Sequence, residues 1–80
     1  MKIIRIKWID SVTGSNQWEY KEDLETLKPS ICHSVGFLVE SDGTYTTICS
    51  SDSETQILGR ITIPNVAILK KEVIEIEDFE

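Results

Sequence analysis

The chain has 80 residues, 40% of them hydrophobic, and a formal net charge of −6. This length allows one domain, residues 1–80, with a small core. The acidic balance makes a nucleic-acid partner unfavourable, because nucleic-acid binders gain affinity by neutralising phosphates with Lys and Arg. Charges interrupt the apolar residues near the start, so we expect neither a signal peptide nor a membrane span and place the protein in the cytoplasm.

The first predicted element is a half-buried strand over residues 2–9, where apolar and charged residues alternate. Its apolar side carries Ile4, Ile6 and Trp8. A polar loop follows over residues 10–16, because Asp, Ser, Asn and Gly favour turns.

Two short elements are predicted after this loop. Trp18 and Tyr20 are two positions apart and would lie on the same side of a strand, which favours a short return strand here. Residues 22–28 carry acids early, leucines three positions apart and a terminal Lys before Pro29. This pattern is typical of one or two turns of helix.

The rest of the chain is organised around a predicted hairpin over residues 34–51. Asp42-Gly43 accepts the positive φ angles of a type I′ turn, and it separates two runs of β-branched and aromatic residues. With these two residues as the loop, Phe37 pairs with Ile48.

This register predicts two faces of different character. The core face carries Val35, Phe37, Val39, Thr46, Ile48 and Ser50, and the other face carries Gly36, Leu38, Glu40, Tyr45, Thr47 and Cys49. A three-residue loop over residues 41–43 is the alternative, and it places Phe37 opposite Thr47. The first register is preferred because it matches apolar with apolar residues.

Strand character resumes over residues 56–63, with a bend or bulge expected at Gly59. Pro64-Asn65 predicts a tight turn, because proline lacks the N–H donor and fixes φ. A last strand begins at Val66 and leads into an acidic tail.

Five short strands and one brief helix predict a mostly β domain. We expect a small five-stranded antiparallel barrel of the SH3-like or Sm-like kind. Closure is favoured because an open sheet of this size exposes two hydrophobic edges.

Cys32-His33 and Cys49 are the residues with metal or nucleophile potential. On the predicted ladder Cys32 lies about 13 Å from Cys49, beyond the roughly 7 Å Cα separation of a disulfide. Adjacent strand residues point to opposite faces, which disfavours a Cys-His dyad. With no other catalytic motif, the sequence predicts a non-enzymatic protein with no metal and no cofactor.

The predicted ligand-binding residues are Trp8, Asp10, Ser11 and Trp18, which surround the first polar loop. Two indoles beside hydrogen-bonding side chains could stack a base while the carboxylate or hydroxyl bonds its edge. The alternative is that both tryptophans cap the core and that the polar residues form the turn.

Four stretches, spread over most of the chain, carry a resemblance when they are taken together in this order. They are Trp8-Ile9-Asp10-Ser11, Trp18, residues 34–40 and residues 63–68. In this combination the chain resembles a widespread group of small bacteriophage proteins. It is also similar, more distantly, to Sm-like small barrels, whose last two strands meet at a tight turn, but it is acidic and we expect it to lack their basic face.

The resemblance implies a phage protein that acts in the host cytoplasm. Such a protein would serve host takeover or anti-defence by binding a host protein or by sequestering a small nucleotide-like signalling molecule. The alternative function is that of an Sm-like protein associated with nucleic acid.

Self-association is also expected, because one small interior cannot hold all the apolar side chains of this sequence. The predicted interface residues are Leu38, Tyr45, Ile74 and Ile76. The sequence therefore predicts a homo-oligomer.

Overall fold

The computed structural model of the protein describes residues 2–75 and 77. These residues form the strands β1 (Ile3–Asp10), β2 (Ser30–Ser41), β3 (Tyr45–Cys49), β4 (Ser51–Asp52), β5 (Ile57–Leu58), β6 (Ile61–Pro64) and β7 (Ile68–Ile74). Single turns of 3-10 helix lie at Lys21–Asp23 and Asn65–Ala67.

Five strands form one antiparallel sheet in the order β6-β3-β2-β1-β7, and β4 pairs with β5 in a separate two-stranded ladder. The prediction of a mostly β fold with five antiparallel strands is thus confirmed. The expected closure into a barrel is not observed, because β6 and β7 are the two edges of the sheet and do not pair with each other over the described residues.

The core lies on one face of the sheet, which we call the inner face. Ile4 and Ile6 of β1 pack there with Ile48 of β3 and Ile63 of β6, and all four side chains are at most 3% exposed. Trp8 packs against this cluster, as the alternation of β1 predicts. The first strand and its apolar side are therefore confirmed.

The hairpin of β2 and β3 has neither of the registers expected from its sequence. Phe37 pairs with Cys49 and Leu38 with Ile48. A bulge then inserts Val39, so that Glu40 pairs with Thr47.

The core face predicted for β2 is consequently wrong. Gly36 lies opposite Ile4, and Leu38 packs against the core, whereas Val35 is 66% exposed on the other side. A slip of one residue exchanges the two faces of a strand, because its side chains alternate.

The loop of this hairpin is closed by a side chain rather than by positive φ angles. The Asp42 carboxylate accepts the N–H groups of Thr44 at 2.7 Å and Tyr45 at 2.8 Å. The Asp42 N–H donates to the Tyr45 carbonyl at 3.0 Å, which leaves Gly43-Thr44 as the tip. Among the described glycines the left-handed conformation occurs at Gly59, so the type I′ turn predicted at Asp42-Gly43 is wrong.

Asn65 joins this loop to the turn that follows β6. Its side-chain amide donates to the Asp42 carbonyl, its carbonyl oxygen accepts the Thr46 hydroxyl at 2.7 Å, and its backbone N–H donates to the Thr44 carbonyl at 2.8 Å. The predicted tight turn at Pro64-Asn65 is confirmed as the 3-10 turn, and the predicted bend at Gly59 is confirmed by its φ of 72°.

Residues 11–29, which we call the arm, connect β1 to β2 and are exposed throughout. The predicted return strand at Trp18 and Tyr20 is absent, and the predicted helix is reduced to the 3-10 turn Lys21–Asp23. A helix this short depends on packing for its stability. Leu24 and Leu27 are each 58% exposed, so the arm lacks that packing.

The pairing of β7 with β1 also contains a bulge. Lys70 pairs with Lys7, but Trp8 pairs with Ile68, which leaves Leu69 without an opposite residue. Ile68 therefore packs against the core although Lys70 lies on the other face.

Gly36 is expected to be intolerant of a side chain. A Cβ atom there would lie 2.6 Å from the Cys49 carbonyl oxygen, which belongs to the neighbouring backbone. We expect Gly36→Ala to lower the free energy of unfolding by about 1–3 kcal/mol, as measured by urea denaturation. Gly43→Ala is the control, because a Cβ atom there meets nothing within 4 Å; equal losses in the two variants would contradict the register.

Asp42 gives a second prediction. The N–H groups of Tyr45 and Thr44 hold the pKa of its carboxyl below the ordinary value of 3.8. Because folding lowers this pKa, the ionised carboxylate stabilises the folded state at pH values above the unfolded-state pKa. This stabilisation is lost as the pH falls through the folded-state pKa. Asp42→Ala should therefore lower the melting temperature at neutral pH and have a smaller effect below pH 3.8.

The Asp42 experiment requires thermal unfolding of both proteins by circular dichroism across that pH range. Asp42→Asn is the matched control, because it keeps an acceptor oxygen without the charge. A loss in Asp42→Ala that does not change with pH would show that the carboxylate charge has no part in closing the loop.

Candidate functional site

The face of the sheet opposite the core, the outer face, carries side chains in successive rows across β2, β1 and β7. Strand register defines each row, because directly paired residues point to the same side. From one end to the other the rows are Phe37, Ile3 and Ile74; Val35, Arg5 and Glu72; His33, Lys7 and Lys70; and Ile31 with Ile9.

The third of these, the basic row, consists of His33, Lys7 and Lys70. Lys7 lies directly between the other two on the central strand β1. Side chains paired in this way start about 5 Å apart at their Cβ atoms, and like charges directly opposite destabilise a sheet. The row is thus unfavourable for the isolated fold, and an anion lying on it would remove the repulsion.

An open groove of about 220 Å³ lies over this part of the outer face. Its lining is Arg5, Lys7, His33, Lys70 and Glu72, all of them exposed. Closed pockets for small molecules have volumes of about 300–1,000 Å³. The groove is therefore large enough for a charged group of a ligand, while the remainder would extend onto neighbouring rows.

Arg5 is held at one side of the groove by an ion pair. Its guanidinium nitrogen Nη2 lies 3.2 Å from Oε2 of Glu72, which is its neighbour in the same row. Both side chains are at least half exposed, so the pair adds little to stability. It orients the guanidinium beside the basic row and leaves Lys7 and Lys70 as the cations of that row.

Apolar side chains flank the charged rows at both ends. Ile31 is 51% exposed and Ile74 is 41% exposed on this face, and Val35 adjoins Arg5. A ligand with one anionic and one apolar part would find both kinds of surface one row apart.

The four predicted ligand-binding residues are not brought together. Trp8 lies on the inner face, where its Nε1 donates to the Ser34 hydroxyl at 3.0 Å. The Asp10 carboxylate accepts the N–H of exposed Ser11 at 2.9 Å. Trp18 lies on the arm, and the shallow cleft beside it is lined by arm residues.

The residues expected at a subunit interface are in different environments. Leu38 is half-buried against the core, whereas Tyr45 is 51% exposed beside a second groove that contains Arg60. Ile74 lies in the first row of the outer face, and Ile76 falls outside the described residues.

Both thiols are free, as the sequence predicts. Cys49 is buried and Cys32 is half-buried, and Cys49 pairs with Phe37 rather than with the expected Gly36. Within residues 2–75 and 77, no group of three His, Cys, Asp or Glu residues is arranged to hold a metal ion.

The basic row was not predicted from the sequence, from which no basic face was expected. Arg5 and Lys7 were visible as the polar side of the first strand, but His33 and Lys70 lie far away in the sequence. The pairing of β1 with both β2 and β7 had to be known before these residues could be placed together.

Comparisons with models of protein families, with curated protein sequences and with solved structures gave no match for this chain. The described part of the chain contains no helix that is long and apolar enough to span a lipid bilayer.

The repulsion in the basic row can be measured as stability. In protein dilute enough to be monomeric, replacing Lys70 by Thr removes one charge opposite Lys7 and should raise the free energy of unfolding by about 0.2–1 kcal/mol. Urea denaturation at low salt measures the gain, which should shrink at high salt because ions screen exposed charges. Lys71→Thr is the matched control, since Lys71 is opposite Ile6; an equal gain in both variants would argue against repulsion within the row.

Proposed function

We propose that this chain is a non-enzymatic binding protein that sequesters a small phosphate-bearing, nucleotide-like ligand on the outer face of its sheet. The observation that supports the proposal is the basic row of His33, Lys7 and Lys70 beside Arg5. The chain has a net charge of −6, yet it concentrates cations in direct register on adjacent strands.

A phosphate group matches the charges of this groove. Lys7 and Lys70 supply ammonium groups from neighbouring strands, and Arg5 presents a guanidinium already oriented by Glu72. Hydrogen bonds between such cations and phosphate oxygens are stronger than neutral ones. A base or another apolar portion would then lie against the adjoining row that contains Ile31.

Binding without turnover is the simplest role for these residues. The lining of the groove consists of solvent-exposed cationic side chains with His33 and Glu72, and it contains no hydroxyl or thiol side chain. An open groove also leaves its ligand in contact with water, whereas catalytic sites gain much of their electrostatic effect by excluding it.

In biological terms, the proposal places the protein in the cytoplasm of an infected bacterium. The resemblance of the sequence to small bacteriophage proteins supports this setting. Removal of a nucleotide-like signal would serve host takeover or anti-defence. Binding of a host protein is the other mode that the resemblance suggests.

We also propose an SH3-like or Sm-like relationship for the fold. The order β6-β3-β2-β1-β7 and the 3-10 turn Asn65–Ala67 between the last two strands of the sheet support it. The Sm-like likeness keeps nucleic acid as the alternative partner. Since Lys7 and Lys70 are the cations of the row, few phosphates could be neutralised, and binding would depend less steeply on salt than in nucleic-acid binders.

The proposal predicts that ATP binds and that adenosine, which lacks the phosphates, does not. Isothermal titration calorimetry would measure both affinities at low and physiological salt. Lys70→Glu should weaken ATP binding by about tenfold or more, because it replaces a phosphate contact with a repulsive charge.

Lys71→Glu is the control for this experiment. It changes the net charge equally one residue away, but Lys71 is opposite Ile6 of the inner face. No ATP binding, or equal weakening by the two substitutions, would refute the groove as the ligand site. Tighter binding of a single-stranded RNA than of ATP, with a steep salt dependence, would favour the alternative function.

A further inference from the structure

Within residues 2–75 and 77, no element packs on the arm, which is exposed along its whole length. Trp18 is 104% exposed and Tyr20 is 78% exposed, and the leucines that follow are each more than half exposed. Hydrogen bonds of the arm in the described chain are local, as in the donation from Asp23 N–H to the Tyr20 carbonyl. Aromatic residues are typical anchors of protein interfaces, and full exposure of both in solution is unfavourable.

The dimensions of the chain show how far it departs from a compact fold. A compact chain of 80 residues has a radius of gyration of about 12 Å. The observed value is 17.1 Å, and the longest dimension is 62 Å. The chain is therefore extended, and the described sheet does not cover the apolar side chains of the arm.

We propose that two copies of this chain exchange their arms, so that the arm of each copy lies across the outer face of the other copy's sheet. This contact is isologous: both copies use the same arm and the same face, so a two-fold axis satisfies both pairs of surfaces at once.

The charges of the two surfaces are complementary. The middle of the arm carries Glu22, Asp23 and Glu25, whereas the middle of the outer face carries the basic row with Lys7 and Lys70. Carboxylates placed over this row would relieve its internal repulsion in the same way as a bound phosphate.

The apolar parts are arranged in the matching order. In the arm, Trp18 and Tyr20 precede Glu22, Asp23 and Glu25, and Leu27 follows them. On the sheet, the row of Phe37, Ile3 and Ile74 lies on one side of the charged rows, and Ile31 with Ile9 lies on the other.

The lengths of the two surfaces also agree. From Ile3 to Ile9 the sheet spans about 20 Å. From Trp18 to Leu27 the arm spans at most about 26 Å, since it includes one 3-10 turn.

The area involved is sufficient for a dimer. Trp18 and Tyr20 alone bury roughly 400 Å² for each arm, and both arms with the surfaces they cover reach roughly 1,600 Å². Stable and specific interfaces bury about 1,200–2,000 Å² in total.

This inference rests on the exposed arm and stands whether or not a nucleotide binds. Because the arm carboxylates and the phosphates of a ligand would contact the same lysines, the two are expected to compete. Ligand binding is therefore also measured on the variant Glu22→Lys with Asp23→Lys, whose arms cannot cover the basic row, so that failure of one proposal leaves the other decided on its own data.

The decisive experiment is a charge exchange followed by light scattering behind size exclusion. The wild-type protein should show twice the mass of the 9.1 kDa chain. One variant carries Lys7→Glu with Lys70→Glu, and the other carries Glu22→Lys with Asp23→Lys. Each variant alone places like charges across both contacts and should be monomeric.

An equimolar mixture of the two variants should restore the dimer, because every arm then lies on a sheet of opposite charge. Circular dichroism would show that each variant is folded. If either variant is unfolded, a salt titration of the wild-type dimer tests the contact instead. The dimer must then weaken as the salt concentration rises, because the contact is between opposite charges.

Three outcomes would overturn the proposal. They are a wild-type monomer from micromolar to millimolar concentration, dimers of each variant alone, and a mixture that remains monomeric although both variants are folded. Trp18→Ala provides a second measurement and should weaken the wild-type dimer about tenfold or more, as expected for an interface anchor.

Discussion

The fold and the candidate site both depend on the register of β1 between β2 and β7. Ile4 and Ile6 are 1% and 0% exposed, so burial fixes which side of β1 faces the core. A slip of one residue would bring these side chains into water. The register that prevents this also places Lys7 between His33 and Lys70, so the basic row cannot be altered by sliding a strand without loss of the core.

Local patterns predicted those parts of the fold in which one residue type allows few conformations. Alternation identified β1 and its buried side, since two isoleucines and a tryptophan at every second position have one favourable arrangement. Pro64 and Gly59 marked a turn and a bend, because Pro64 lacks an N–H donor and Gly59 adopts a positive φ of 72°. These features depend on neighbours in the sequence.

The features that could not be predicted depend on distant residues. The hairpin register is set by the Asp42 carboxylate, by Asn65 from the far side of β6, and by the close approach of Gly36 to the Cys49 carbonyl. The arm has helical spacing, but the described part of its own chain offers it no surface to pack on. The basic row exists only after three strands have paired. The same limit applies to Trp8 and Trp18, which are close in sequence but lie in the core and on the arm.

The bulge at Leu69 separates β7 into two segments whose side-chain alternation is out of phase. In a regular strand, residues two apart share an environment, but here Ile68 belongs to the interior and Lys70 to the groove. The two segments can therefore change in sequence independently, one under selection for packing and the other for charge. Removal of Leu69 would leave Ile68 opposite Trp8 and Lys70 opposite Lys7 in one regular strand, so the core and the groove depend on these two pairings and not on the extra residue.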